Sequence, residues 1–150
     1  MKIKNVFIAT PIAGFSTEED YAKYKNLIKE VIACVKERDK NLNIFCEITN
    51  IQDISEYDSP ANSVIKDFEH IQKSENFILL YPQKVVSSAL IELGYALSKG
   101  KNILIISPNK NILPYMVLGF EEVYSNVKVA ISEYTHKSLY TIINDFISSK

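Results

Sequence analysis

The chain has 150 residues, 47% hydrophobic and 23% charged, a balance that excludes disorder and low-complexity repeats and suits one packed domain spanning residues 1–150. With 17 basic against 18 acidic side chains the net charge is -1, which argues against a nucleic-acid partner held by phosphate neutralisation. No apolar run approaches the roughly 18 residues of a membrane span, and the first residues lack the long apolar region and small-residue cleavage site of a signal peptide. A cytoplasmic protein without a membrane partner is therefore expected.

Residues 3–9 form a short β-rich run that Thr10, Pro11 and Gly14 bring to an end. From Thr17 the apolar period changes to 3.6, with Tyr21, Tyr24, Leu27, Ile28, Val31, Ile32 and Val35 along one stripe and Glu18, Glu19 and Asp20 at the helix start. A second strand is expected over residues 43–48, followed by an aperiodic polar loop to Pro60. Ser59 and Pro60 then read as the cap and first turn of a helix that runs to about Ser74. Residues 76–81 (NFILLY) and 102–107 (NILIIS) lack polar alternation, as in strands buried on both faces. Between them a helix is expected over residues 85–98, closed by Gly100. A short helix near 112–118, a fifth strand near 127–131 and a last helix near 137–147 complete the pattern.

Five strands alternating with helices predict a parallel sheet covered on both faces, a flavodoxin-like three-layer α/β fold. Sites in such sheets form beyond the C-terminal strand ends, near the switch in strand order. Several chemistries are excluded there. GxGxxG, GxxxxGK[ST] and GxSxG are absent, and four glycines leave little material for a phosphate cradle. Cys34 and Cys46 show no CxxC spacing and the histidines are His70 and His136 alone, so buried free thiols are expected and no metal is assigned.

Glu92 stands out after the first of these two buried strands. It lies in the first turns of a helix whose neighbouring residues, Leu90, Ile91, Leu93 and Ala96, are apolar, so partial desolvation is expected to raise its pKa. Ser87 and Ser88 precede it, and Asp67 on the preceding helix is the nearest candidate partner, although a solvent-facing place for Asp67 is the plainer expectation. No obvious acid beside Glu92 is in view. Thr10 and Pro11 serve equally as a turn or as a pocket wall, and Phe15 and Tyr95 as core aromatics or as a platform for a base.

The segment from Ile71 to Leu93, with Ser74, Ser87 and the pair Glu92-Leu93, resembles the core of Toll/interleukin-1 receptor (TIR) domains, whose NAD-cleaving members carry a glutamate at that place. The run Glu92-Leu93-Gly94-Tyr95-Ala96 followed by Gly100-Lys101 is similar to nucleoside 2-deoxyribosyltransferases and deoxynucleoside-phosphate N-glycosidases, and Val6 to Ile12 is similar to the opening of those families. The chain departs from both patterns: Val85 to Ser88 stand where the transferases carry aspartate and glycine, and Ala89-Leu90 replace the TIR Trp-Cys.

Both resemblances imply scission of an N-ribosidic bond through an oxocarbenium-like transition state, which a carboxylate at C1′ stabilises or attacks. They imply Glu92 as the catalytic group and a substrate pocket formed by Ala9, Thr10, Pro11, Phe15, Asp67, Tyr81, Ser87 and Ser88. Nicotinamide is already cationic in NAD and departs without an acid, so a lone carboxylate favours NAD, as substrate rather than cofactor, with a signalling nucleotide in antiviral defence as the implied output. The alternatives are a nucleoside 2′-deoxyribosyltransferase or 2′-deoxynucleoside 5′-phosphate N-hydrolase, and a non-catalytic TIR-like signalling or binding module. A small nucleotide as the partner molecule and assembly into a homo-oligomer are implied by the same resemblance.

Overall fold

The computed structural model describes residues 4–12, 17–49 and 58–149; Phe15 and most of the polar loop before Pro60 lie outside them. Five strands, β1 (Asn5–Ala9), β2 (Asn43–Phe45), β3 (Asn76–Leu80), β4 (Asn102–Ser107) and β5 (Val127–Ile131), form one sheet. All four pairings are parallel and the order is β2-β1-β3-β4-β5. The chain thus has the flavodoxin-like three-layer α/β fold, with its switch in strand order between β1 and β3.

Alternate residues of each strand feed two cores. Val6, Ile8, Ile78, Leu80, Leu104 and Ile106 pack under α1 (Glu18–Arg38) and α5 (His136–Ser148), against Ile28, Val31, Leu139 and Ile143. Phe7, Phe77, Leu79, Ile103 and Ile105 face the opposite way, against Ile71 of α2 (Pro60–Lys73) and Leu93 and Ala96 of α3 (Ala89–Ser98). Leu27 and Ile44 on the first side and Leu97 on the second are half-buried and pack against these cores. No helix of the described residues is long and apolar enough to cross a membrane.

The helix ends follow local chemistry. Thr17 caps α1 by accepting from the Asp20 amide at 3.1 Å, and Ser59 caps α2 by accepting from the Asn62 amide. Gly100 takes a φ of 66° just beyond α3, a left-handed conformation that glycine adopts without a Cβ penalty. Two expectations shift. The second strand is shorter, because the chain turns at Glu47–Thr49 into a single 3-10 turn with the Thr49 hydroxyl on the Cys46 carbonyl. The expected short helix near 112–118 resolves into two 3-10 turns, Lys110–Ile112 and Tyr115–Gly119, and a four-residue helix α4 (Phe120–Val123).

Candidate active site

A pocket of about 420 Å³ opens beside the C-terminal end of β1, at the switch in strand order. Thr10 and Ile12 form its wall behind β1, and Glu47 enters from the turn after β2. Helix α2 contributes Ser63, Val64, Asp67 and Phe68, and the start of α3 contributes Ser88, Ala89, Ile91 and Glu92. The spacing of four between Ser63 and Asp67, and again between Ser88 and Glu92, puts each pair on one helix face. The two helices are locked together below the pocket, where Phe68 stacks on Tyr95 at 3.9 Å between ring centroids and Gln72 donates to the Tyr95 hydroxyl.

The chemistry concentrates in two carboxyl groups. Asp67 and Glu92 are in hydrogen-bond contact with each other. A hydrogen bond between two carboxyl groups needs a proton on one of them, so their approach favours a singly protonated pair. Burial, then the charge of Asp67 and its hydrogen bond, then Glu47, push the Glu92 carboxyl up to about 8. Burial and Glu47 also raise Asp67, to about 6, against the opposing pull of Lys66. At neutral pH the dyad therefore holds one proton. Such a pair offers both an acid and an anion at one point in space.

Two further acids surround the dyad. Lys66 lies 3.4 Å from Glu47 and 3.4 Å from Asp58, bridging the turn after β2 to the residue before the α2 cap. Partial burial works against the lysine charge, but Glu47 and Asp58 outweigh it and its pKa rises. Thr10 is only 6% exposed, and its hydroxyl finds no hydrogen-bond partner among the described residues. It is a polar group facing a pocket with its bonding capacity unused. Cys46 lies close enough to feel Glu92 and Glu47, but burial above all pushes its thiol up to about 12, which removes it as a nucleophile at neutral pH.

Of the residues read from sequence, Thr10, Asp67, Ser88 and Glu92 line this pocket. Ala9 and Pro11 are buried behind it. Tyr81 is a core residue instead: its ring is 2% exposed, and its hydroxyl donates to the Val85 carbonyl at 2.7 Å. Ser87 turns its hydroxyl to the Ala89 amide at 3.1 Å, starting α3 rather than facing the cavity. These two bonds hold residues 81–88 as a loop and explain why α3 begins at Ala89, four residues later than the periodicity suggests. Tyr95 stacks within the protein on Phe68, as a core aromatic does. Phe15 lies outside the described residues. Sequence reading missed Glu47 as a site residue, although the rule for strand ends marks the turn in which it sits.

No protein-family model matches the sequence, and neither does any curated protein. Solved structures do resemble it. A CMP N-glycosidase of Clostridium botulinum, BcmB, superposes with a TM-score of 0.68 at 22% identity, over 95% of this chain and 99% of that one. BlsM superposes at 0.67 with 15% identity, over 97% and 93% of the two chains. A conserved protein of Enterococcus faecalis V583 gives 0.62 at 15% identity, over 96% and 99%. At these identities the likeness is one of fold.

Proposed function

We propose that this protein is an N-glycosidase that separates a nucleobase from the sugar of a nucleoside or nucleoside 5′-monophosphate, with Glu92 and Asp67 as its catalytic pair. The carrying observation is the meeting of these two carboxyls inside one pocket, where burial and their mutual charge raise both of them. A fold shared with a CMP N-glycosidase supports the same reading. The case for NAD rested on the absence of an acid beside Glu92. With Asp67 in contact, that case reverses: a neutral base needs protonation to leave, and a dyad with one proton supplies it.

The substrate's sugar enters between the dyad and the Thr10 and Ser88 hydroxyls, which bond to sugar hydroxyls. Positive charge developing at C1′ favours the ionised form of Glu92, so the shared proton moves across to Asp67. The C1′–N bond breaks, its electron pair goes to the base nitrogen, and Asp67 gives that base its proton. Glu92 meets the C1′ cation, as a covalent partner or as its counter-ion. Water then adds at C1′ and yields its proton to the Asp67 carboxylate, which restores the pair. A second base or alcohol in place of water makes the same site a transferase.

The test is incubation with nucleosides, nucleoside 5′-monophosphates and, in a separate arm, NAD, with the free base resolved by chromatography. Base release from a nucleoside or its monophosphate, lost in Glu92→Gln and Asp67→Asn, supports the proposal. Release of nicotinamide alone supports the TIR-like reading, and no release from any substrate supports a binding module.

A further inference from the structure

On the opposite face of the sheet from the pocket, α1 and α5 bring together a side-chain set that the proposed chemistry does not use. Glu30, Cys34 and Glu37 lie on one face of α1, at spacings of four and three. His136, the first residue of α5, reaches into that row. Its Nδ1 lies 3.8 Å from the Cys34 sulfur and touches the Glu30 carboxylate. Its other nitrogen, Nε2, is bonded to the Glu37 carboxylate at 3.1 Å. The ligand atoms of Glu30, Cys34 and His136 all lie within 4.8 Å of one another.

We propose that Cys34 Sγ, His136 Nδ1 and a Glu30 carboxylate oxygen bind a zinc ion, with Glu37 holding the far side of the imidazole. Thiolate, imidazole and carboxylate are the ligand types zinc takes, at ~2.0–2.3 Å. Around a tetrahedral ion such ligands stand about 3.3–3.7 Å apart, so the 3.8 Å between Cys34 and His136 is already near a tetrahedral edge. The adjustment falls on groups able to make it, since the Glu30 and His136 side chains are 41% and 52% exposed while Cys34 is fully buried. Glu37 supplies the outer carboxylate that metal-bound histidines commonly carry on their second nitrogen, and it leaves Nδ1 as the nitrogen that points at the ion.

Loading is a simple exchange without redox chemistry. The ion takes the place of the thiol proton and of the proton between Nδ1 and Glu30, and both protons leave to solvent. The three protein ligands leave the fourth position to water. The site joins two helices that are 102 residues apart at Cys34 and His136, and it lies away from the dyad. Its expected effect is to tie α1 to α5 rather than to take part in base release.

Cobalt(II) added to chelator-stripped protein gives the test, because a thiolate on tetrahedral cobalt produces a charge-transfer band that carboxylates and imidazole do not. The expected result is one cobalt per chain with that band, displaced by zinc, and a rise in melting temperature with zinc. Cys34→Ser and His136→Ala should each lose the band, while Glu37→Gln should keep it and bind about 10-fold more weakly or worse. Cys46 remains in every variant as an internal control, and circular dichroism reports folding. Should Cys34→Ser fail to fold, His136→Ala at its exposed position carries the same comparison. No thiolate band in the parent, or a band that survives in either ligand variant, overturns the site and leaves a histidine held by two carboxylates.

Discussion

Glu92→Gln is expected to stabilise the protein at the same time as it abolishes cleavage. A carboxyl carried from 4.5 to about 8 is, when fully ionised, ~5 kcal/mol less favourable in the fold than in the unfolded chain, at ~1.4 kcal/mol per tenfold change in proton affinity. Between those two values the folded chain keeps a proton that the unfolded chain has lost. Stability therefore falls as pH rises through this window, by up to ~1.4 kcal/mol per pH unit. At pH 7 the ceiling on this burden is ~3 kcal/mol. The pocket mouth lets water reach the pair, so a gain of about 1–2 kcal/mol on removing the charge is the working expectation. Glutamine keeps the shape, and its amide N–H replaces the shared proton in the bond to Asp67.

The assay is urea unfolding of parent and variant at several pH values from about 5 to about 8, with equal slopes as the check on comparability. The variant's advantage should shrink toward the acidic end, as the pH approaches 4.5 and the unfolded chain begins to regain its proton at Glu92, and grow toward the alkaline end. A variant less stable than the parent at neutral pH refutes the reasoning. So does a difference that does not change with pH, because steric or packing effects carry no proton.

Asp67→Asn should cut turnover of neutral-base substrates by about 100-fold or more, the usual scale of general acid catalysis. It should spare a substrate whose base is already cationic while bound to the sugar and leaves neutral, which a side-by-side assay with nicotinamide riboside checks. Thr10→Val removes a hydroxyl without a partner among the described residues. It should leave stability unchanged or raise it by up to about 1 kcal/mol while KM rises roughly 2–10-fold, the worth of one sugar hydrogen bond. Tyr81→Phe loses the bonds to the Val85 carbonyl and amide. It should cost about 1 kcal/mol in urea unfolding and lower turnover by loosening the loop before α3.

The sheet was legible because its signal is local. The runs at 76–81 and 102–107 can be buried only as central parallel strands, and the structure pairs them as β3 and β4 at the middle of the sheet. The start of α3 was not legible, since it depends on Tyr81 bonding across to Val85 and on which of two serines turns to the backbone. Asp67 was legible as a site residue through the family resemblance and not through the helix pattern, for a related reason. Apolar periodicity along α2 points to Val64 and Ile65 as core, yet these are 55% and 66% exposed and Ile71 alone is fully buried. Helix α2 therefore lies rotated from its apparent stripe, and that rotation turns Asp67 from the solvent toward Glu92.

That rotation also bears on the chemistry. Glu92 is set by α3 alone, and on a helix whose other residues are apolar it is a desolvated carboxyl with a raised pKa but no second function. Asp67 turns it into half of an acid–base pair, and Glu47 keeps the pair from losing its last proton by adding a nearby negative charge to both members. Lys66 limits this effect, because it holds Glu47 and Asp58 in ion pairs and pulls Asp67 back toward the ordinary carboxylate range. Asp67 thus carries an opposing pull that Glu92 lacks, and this divides the pair. A pair divided in this way can give a proton to a departing base and still present an anion to the carbon it leaves.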